Sequence, residues 1–206
     1  MTGTALKGLY QFGVALIVTI AFSTTSWAGL LNGHASAFGG VTGSVPFNNG
    51  LGLSGTIDYA VFSSADFNTN FGGLGYAPGG PLVYTYQVNV LGNLGVSAEV
   101  VGITNPANTI GTFDIGDVDA TSASFSPNAR WLFSPEIPTA MSSWGLAFSS
   151  PKLPIFGGAL TVDGGTTAFV VGVPTPGPIN IPEPTTLFMM GVASFAICCG
   201  TRRFRH

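Results

Sequence analysis

The sequence predicts an all-β fold: an antiparallel β-sandwich, jelly-roll-like or immunoglobulin-like, set between two apolar terminal segments. Three observations predict it. Charged residues are 7% of the 206-residue chain, against roughly 25% in an ordinary soluble domain. Polarity comes instead from 17 Ser, 21 Thr and 11 Asn, with 30 Gly for turns and 12% aromatics for a packed interior. Between the termini no segment sustains a 3.6-residue period, whereas several alternate with period two.

The first element, residues 1–28, reads as a signal peptide that makes signal peptidase a partner. Lys7 is its one charge, and "FGVALIVTIAF" (Phe12 to Phe22) is its apolar core. "SWA" (Ser26 to Ala28) puts small residues where the peptidase needs them, so cleavage is expected between Ala28 and Gly29. The apolar run of about 11 residues falls well short of the ~20 that a spanning helix requires.

Residues 29–172 form the expected sandwich body. At about 145 residues it is long enough to bury close to ~70% of its unfolded surface. "LVYTYQVNVL" alternates cleanly, with Tyr84, Tyr86, Val88 and Val90 on one face and Thr85, Gln87 and Asn89 on the other. "GTIDYAVFSS" places Ile57, Tyr59 and Val61 together. "LGVSAEVVGI", "TIGTFDI", "ATSASF", "ARWLFS" and "WGLAFSS" are further strands. "ALTVDGGTTAFVVGV" reads as a hairpin whose positive-φ turn is Asp163-Gly164. About nine strands at turn spacings of ~8–12 residues or slightly more are the pattern of a sandwich.

Residues 173–181 read as a Pro-rich spacer. Together with the following triplet they carry five prolines in eleven positions, from Pro174 to Pro184, and so favour extended polyproline II at ~3.1 Å per residue. Residues 182–206 are the last segment. Thr185 to Gly200 is 16 residues without a charge, ~24 Å long as a helix, and Arg202, Arg203 and Arg205 follow. The positive-inside rule keeps that arginine cluster cytoplasmic and the body outside.

Pro182-Glu183-Pro184, the apolar run and the terminal arginines, in this order, resemble the PEP-CTERM sorting signal of bacterial envelope proteins. The resemblance covers about 25 residues. It implies that exosortase, a membrane-embedded cysteine transpeptidase-like protease, is a partner and acts near the triplet. It further implies an exported protein, first anchored in the membrane and then at the cell surface or outside, in an exopolysaccharide or biofilm setting. Met189-Met190, the Cys198-Cys199 pair and Phe204 depart from the commoner Leu/Gly/Ala and Arg pattern, but no part of the signal is missing. Proline lacks an N–H and disfavours helix in the residue before it, so Pro182 and Pro184 hold Glu183 extended.

The body offers little chemistry to an enzyme. Both cysteines lie in the tail, so the body has no disulfide, thiol nucleophile or Cys-ligated metal. His34 is its single histidine, in a Gly-rich stretch that reads as poorly ordered and unsuited to hold a catalytic base. "GLGLSG" matches a dinucleotide fingerprint but precedes a strand, not a helix, and is expected to be a turn. Asp114, Asp117 and Asp119 are the candidate Ca²⁺ ligands, although their spacing is not that of an EF-hand and the plainer expectation is a solvated acidic turn. Glu99, Glu136, Asp58 and Asp66 are too scattered to name a glycosidase pair. From Gly29 to Ile181 eight acids and two bases give −8 + 2 = −6, which disfavours nucleic acid. Trp131 and Trp144 alternate with apolar neighbours and are expected in the core.

The expectation is therefore a non-catalytic, surface-sorted sandwich without a cofactor. A carbohydrate-binding module, with or without Ca²⁺ assistance, is the first alternative and an envelope glycosidase the second. The exported chain is predicted to begin at Gly29. Intact mass of the envelope fraction checks this, and a chain still beginning at Met1 would contradict it.

Overall fold

Period-two alternation resolves into ten strands and one short helix in a computed structural model of the chain, which describes residues 30–125 and 127–180. The strands are β1 (Thr42–Asn48), β2 (Ser54–Ser63), β3 (Leu82–Val90), β4 (Val96–Val101), β5 (Asn108–Phe113), β6 (Ser122–Phe125), β7 (Ala129–Ile137), β8 (Gly145–Ser150), β9 (Lys152–Asp163) and β10 (Thr166–Asn180). The helix, α1 (Ser64–Phe71), lies between β2 and β3. One sheet has the order β1-β2-β3-β8-β5 and the other β10-β9-β4-β7-β6, with antiparallel pairing throughout.

The sheets meet through the faces that alternation assigned to the core. Ile57, Tyr59 and Val61 of β2 and Tyr84, Tyr86, Val88 and Val90 of β3 pack against Val96, Val101, Trp131, Phe133, Ala159 and Val170 of the second sheet. Aromatic rings form the centre. Phe148 stacks on Tyr84 at 5.1 Å between centroids and near-parallel to Trp131 at 6.4 Å, and Phe125 meets it edge-on. Three hydrogen bonds from core aromatic side chains cross the interface. Tyr84 Oη donates to Lys152 O at 2.8 Å, Tyr86 Oη donates to Pro174 O, and Trp131 Nε1 donates to Gly111 O at 2.9 Å.

The first sheet is also covered on its outer face, so every residue of β3 is buried. A second apolar cluster there joins Ala60, Phe62 and Val83 to Leu31, Phe67, Phe71, Tyr76, Phe113 and Ile115. Sequence periodicity missed α1, because eight residues hold only one apolar i, i+4 pair, Phe67 and Phe71. Its local signal is a cap: Ser63 Oγ accepts from Asp66 N at 3.1 Å and donates to Asp66 Oδ2 at 2.5 Å. His34, expected in a poorly ordered stretch, packs edge-on to Phe62 at 5.0 Å and accepts from Ser36 N through Nδ1.

Three further expectations change. β1 is an addition to the expected strands; Pro46 and the closing Asn48 disguise it, and as the end strand of its sheet it tolerates the proline. The hairpin between β9 and β10 exists, but Asp163 is still paired with Thr166 and the turn is Gly164-Gly165. Of the spacer expected at 173–181, residues 173–180 are instead the second half of β10, paired with β9 to Pro176↔Pro154 and again, after an irregularity, at Asn180↔Lys152, with Val173, Pro174 and Thr175 buried; residue 181 lies outside the described residues. Pro174 and Pro176 stand two residues apart in the regular ladder, so their missing N–H groups fall on one edge of the strand. β10 ends its sheet, and that edge has no partner strand to satisfy. "GLGLSG" is the β1–β2 turn, with Gly50 at φ 71° and Gly52 at φ 105°.

Phe148 touches four aromatic rings, whereas the Phe169 side chain is exposed on β10. Phe148→Ala should cost ~3–5 kcal/mol of stability, and Phe169→Ser should stay within ~0.5 kcal/mol. Urea unfolding followed by tryptophan fluorescence checks this; comparable losses for the two would contradict the assigned packing.

Candidate functional site

Alternation along β2 and β3 turns Thr56, Asp58, Gln87 and Asn89 toward the outer face of the first sheet, opposite the aromatic core. At that end of the sheet the covering cluster gives way to polar groups. Asp58 is 5% exposed, Gln87 fully buried and Asn89 9% exposed. Asn89 Nδ2 donates to Asp58 Oδ2 at 3.1 Å and to Thr56 Oγ1 at 3.2 Å. Gln87 Nε2 donates to Ile115 O at 3.0 Å and Ser143 O at 3.1 Å. Both amide donors are thus used, while Gln87 Oε1 and Asn89 Oδ1 have no partner. Gly116 permits the close cover: a Cβ there would stand 2.0 Å from Ser143 O.

Asp117 lies at the margin of this cluster. Its Oδ2 accepts from Ser142 N at 2.8 Å and Ser142 Oγ at 2.9 Å, and Ser142 is bridged to Asn89. Asp114, Asp117 and Asp119 are all exposed. Among the described residues no group of three or more His, Cys, Asp or Glu is placed to hold a metal ion. Asp117 therefore belongs with Ser142 and Asn89 rather than with its sequence neighbours. Ala28, Gly29, Pro182, Glu183, Pro184, Arg202, Arg203 and Arg205 lie outside the described residues.

A second buried polar group sits between the sheets. Glu99 lies in a cross-strand row, Ala168–Thr161–Glu99–Trp131–Ala123, that faces the core. It is fully buried; its Oε2 accepts from Thr161 Oγ1 at 2.8 Å and its Oε1 has no partner. Burial pushes the Glu99 carboxyl up to about 8, and the Thr161 bond only partly opposes this. Burial likewise holds the Tyr86 phenol well above its ordinary range, with Tyr84 and Glu99 adding to the shift. Trp131 is buried as expected, and Trp144 is half-buried.

On the surface, a shallow groove of about 470 Å³ is lined by Ile103, Thr104, Asn128, Gly157, Gly158 and Phe169, with no charged residue in its walls. Phe169 is the exposed phenylalanine in its wall, whereas Phe156, also exposed, meets Tyr59 edge-on at 6.3 Å, and no row of tryptophan or tyrosine accompanies Phe169 among the described residues. No family model, curated protein or solved structure matches the chain.

Sequence reading missed the importance of Gln87, Asn89 and Glu99. The signal was present for the first two: three polar residues at period two, on a strand whose other face is wholly apolar. Glu99 carried none, because a lone acid among Val and Ala residues also suits a solvent-facing position.

The Glu99 shift fixes a sign. Its carboxyl binds a proton more tightly in the folded chain than in the unfolded one, so its stabilising effect is full below the ordinary glutamate value, near 4.5, and is lost as pH rises to about 8. Within that window each pH unit should remove about 1.4 kcal/mol. Glu99→Gln should flatten this slope. Thermal melts of both full-length proteins at pH 5, 6, 7 and 8 check it; parallel pH profiles would contradict the assignment.

Proposed function

We propose that the protein is an exported, surface-sorted and non-catalytic β-sandwich of the bacterial envelope or extracellular matrix, processed near Pro182-Glu183-Pro184 by an exosortase. The observation that carries this reading is the order of segments. A short apolar leader precedes the sandwich, and the triplet, apolar run and arginine cluster follow it. The internal chemistry of the body agrees with a structural role. Asp58, Gln87 and Asn89 are buried under the cover on the outer face of the first sheet and Glu99 between the sheets, and among the described residues Asp114, Asp117 and Asp119 are not grouped to hold a metal ion. The spatial order of the sheets favours the immunoglobulin-like alternative: β2-β3-β8-β5 and β10-β9-β4-β7-β6 follow A-B-E-D and G-F-C-C′-C″ in position, though not in chain order.

The end of β10 adds a constraint on processing. Asn180 closes the strand and Pro182 follows two residues later, so the triplet begins no more than ~7 Å from the sandwich along the chain and ends within ~14 Å. The protease must work close to the folded body, without the ~30 Å of clearance that a free spacer would give. The carbohydrate-binding alternative rests on the uncharged groove beside Phe169, where Thr104 and Asn128 supply hydrogen-bonding groups.

Glu183→Ala leaves the apolar run and its arginines unchanged, so this variant should insert and then accumulate as a membrane-bound precursor heavier by the uncut tail. Neutralising Arg202, Arg203 and Arg205 should instead let some chains slip through uncut. Immunoblots of membrane and released fractions, in hosts with and without exosortase, separate these outcomes. Identical size and fractionation of wild type and Glu183→Ala in both hosts would defeat the sorting reading.

A further inference from the structure

We propose that the buried polar cluster on the outer face of the first sheet binds a hard divalent cation, with the Asp58 carboxylate as its charged ligand and the Gln87 and Asn89 side-chain oxygens as neutral ones. The argument begins with what the cluster lacks. Asp58 is nearly excluded from water, and its described side-chain partner is the neutral Asn89 amide. The two basic residues of the described chain are elsewhere. Arg130 is exposed on β7 in the opposite sheet, and Lys152 Nζ donates to Pro178 O. A carboxylate removed from water without a cationic partner is costly, and buried charges are paired or bound to metal.

The second observation is independent of that charge. Gln87 Oε1 and Asn89 Oδ1 are both at least nine-tenths buried and both lack a donor. Gln87 is the register partner of Asp58, and Asn89 is two residues further along the same strand face. The Gln87 amide gives its nitrogen to Ser143 O and Ile115 O, which leaves its oxygen as the buried end without a partner. Exchanging oxygen and nitrogen in Gln87 would set its oxygen against two backbone carbonyls, and in Asn89 would set its oxygen against the Asp58 carboxylate. The partners of the two amide nitrogens therefore fix which end of each side chain is left without a donor.

The chemistry of the set selects the ligand. It is all oxygen, with one carboxylate, two amide carbonyls and the neighbouring Thr56 hydroxyl, and it has no imidazole or thiolate. Such a set suits Ca²⁺, which takes neutral carbonyl oxygens beside carboxylates, and excludes the soft ligands that favour zinc or copper. A single carboxylate points to the weak end of the Ca²⁺ range, with Kd of about 0.1–1 mM, typical of extracellular modules. The site differs from Asp114, Asp117 and Asp119, and it does not depend on how the chain is sorted.

The test uses full-length protein in mild detergent, stripped with chelator and titrated with calcium chloride. At 10 mM Ca²⁺ the melting temperature should rise by about 3–10 °C, given that affinity range and a domain of this size. Asp58→Asn keeps the shape of the side chain and should abolish the rise, while melting no lower than wild type in chelator because the uncompensated charge is gone. Asn89→Asp should move the other way, melting lower in chelator and gaining more from Ca²⁺. The Asp114→Asn/Asp119→Asn double variant should keep the wild-type rise. Absence of both a calorimetric binding signal and a melting shift in wild type would overturn the proposal and assign the orphan oxygens to buried water. A rise that survives in Asp58→Asn would overturn it equally.

Discussion

Two phenol hydroxyls set the spacing of this sandwich. Tyr84 and Tyr86 share the inner face of β3, and their rings lie in the aromatic centre with Phe148 and Trp131. Their hydroxyls run out of ring and must end on an acceptor, since a buried hydroxyl without one costs ~1–3 kcal/mol. The acceptors are backbone carbonyls of Lys152 and Pro174 in the facing sheet. Trp131 makes the reciprocal connection, from the second sheet to Gly111 of the first. Hydrocarbon packing alone would allow the sheets to slide. These three directional bonds tie β9, β10 and β5 to one position, and the groove and the exit of the chain depend on it.

Burial of β3 on both faces has a chemical consequence. One face is covered by the opposite sheet and the other by α1, the Leu30–Ala37 stretch and the residues around Ile115. Polar residues that alternation would leave to solvent in a two-layer sandwich are enclosed instead. Thr85 is satisfied by Ala60 O, and Ser143 caps Val88 N, but Gln87 and Asn89 keep free acceptors. A third layer over half a sheet therefore creates the setting in which a buried carboxylate and two orphan oxygens coexist.

Much of the architecture was legible from residues. The alternation of Tyr84, Tyr86, Val88 and Val90 gave the core face of β3, and the strands from β2 to β8 fall where their patterns placed them. The failures share a cause: proline and short length. Pro46 hid β1, and Pro174, Pro176 and Pro178 made the second half of β10 look like an unpaired spacer. Proline reports on a missing donor, and sequence does not say whether a neighbour wanted that donor; at a sheet end none did. The candidate site was less legible. Asp58 and Asn89 are 31 positions apart and meet only through the β2–β3 register, whereas Asp114, Asp117 and Asp119 are close in sequence yet not joined in space.

The pairing of β10 to its last residue also decides how the domain bears load. Whatever pulls on the chain beyond Asn180 reaches the fold first at the Asn180↔Lys152 pair, the end of an edge ladder. A pull across the strands would open that ladder like a zipper, one pair after another toward Val173. A pull along the strand would strain many pairs together and meet far greater resistance. The next pairs inward carry Pro176, Thr175 and Pro174, and Pro174 is the carbonyl held by Tyr86. The tyrosine of the core therefore acts as the stop at which peeling from the C-terminal end must pause before the sandwich itself yields.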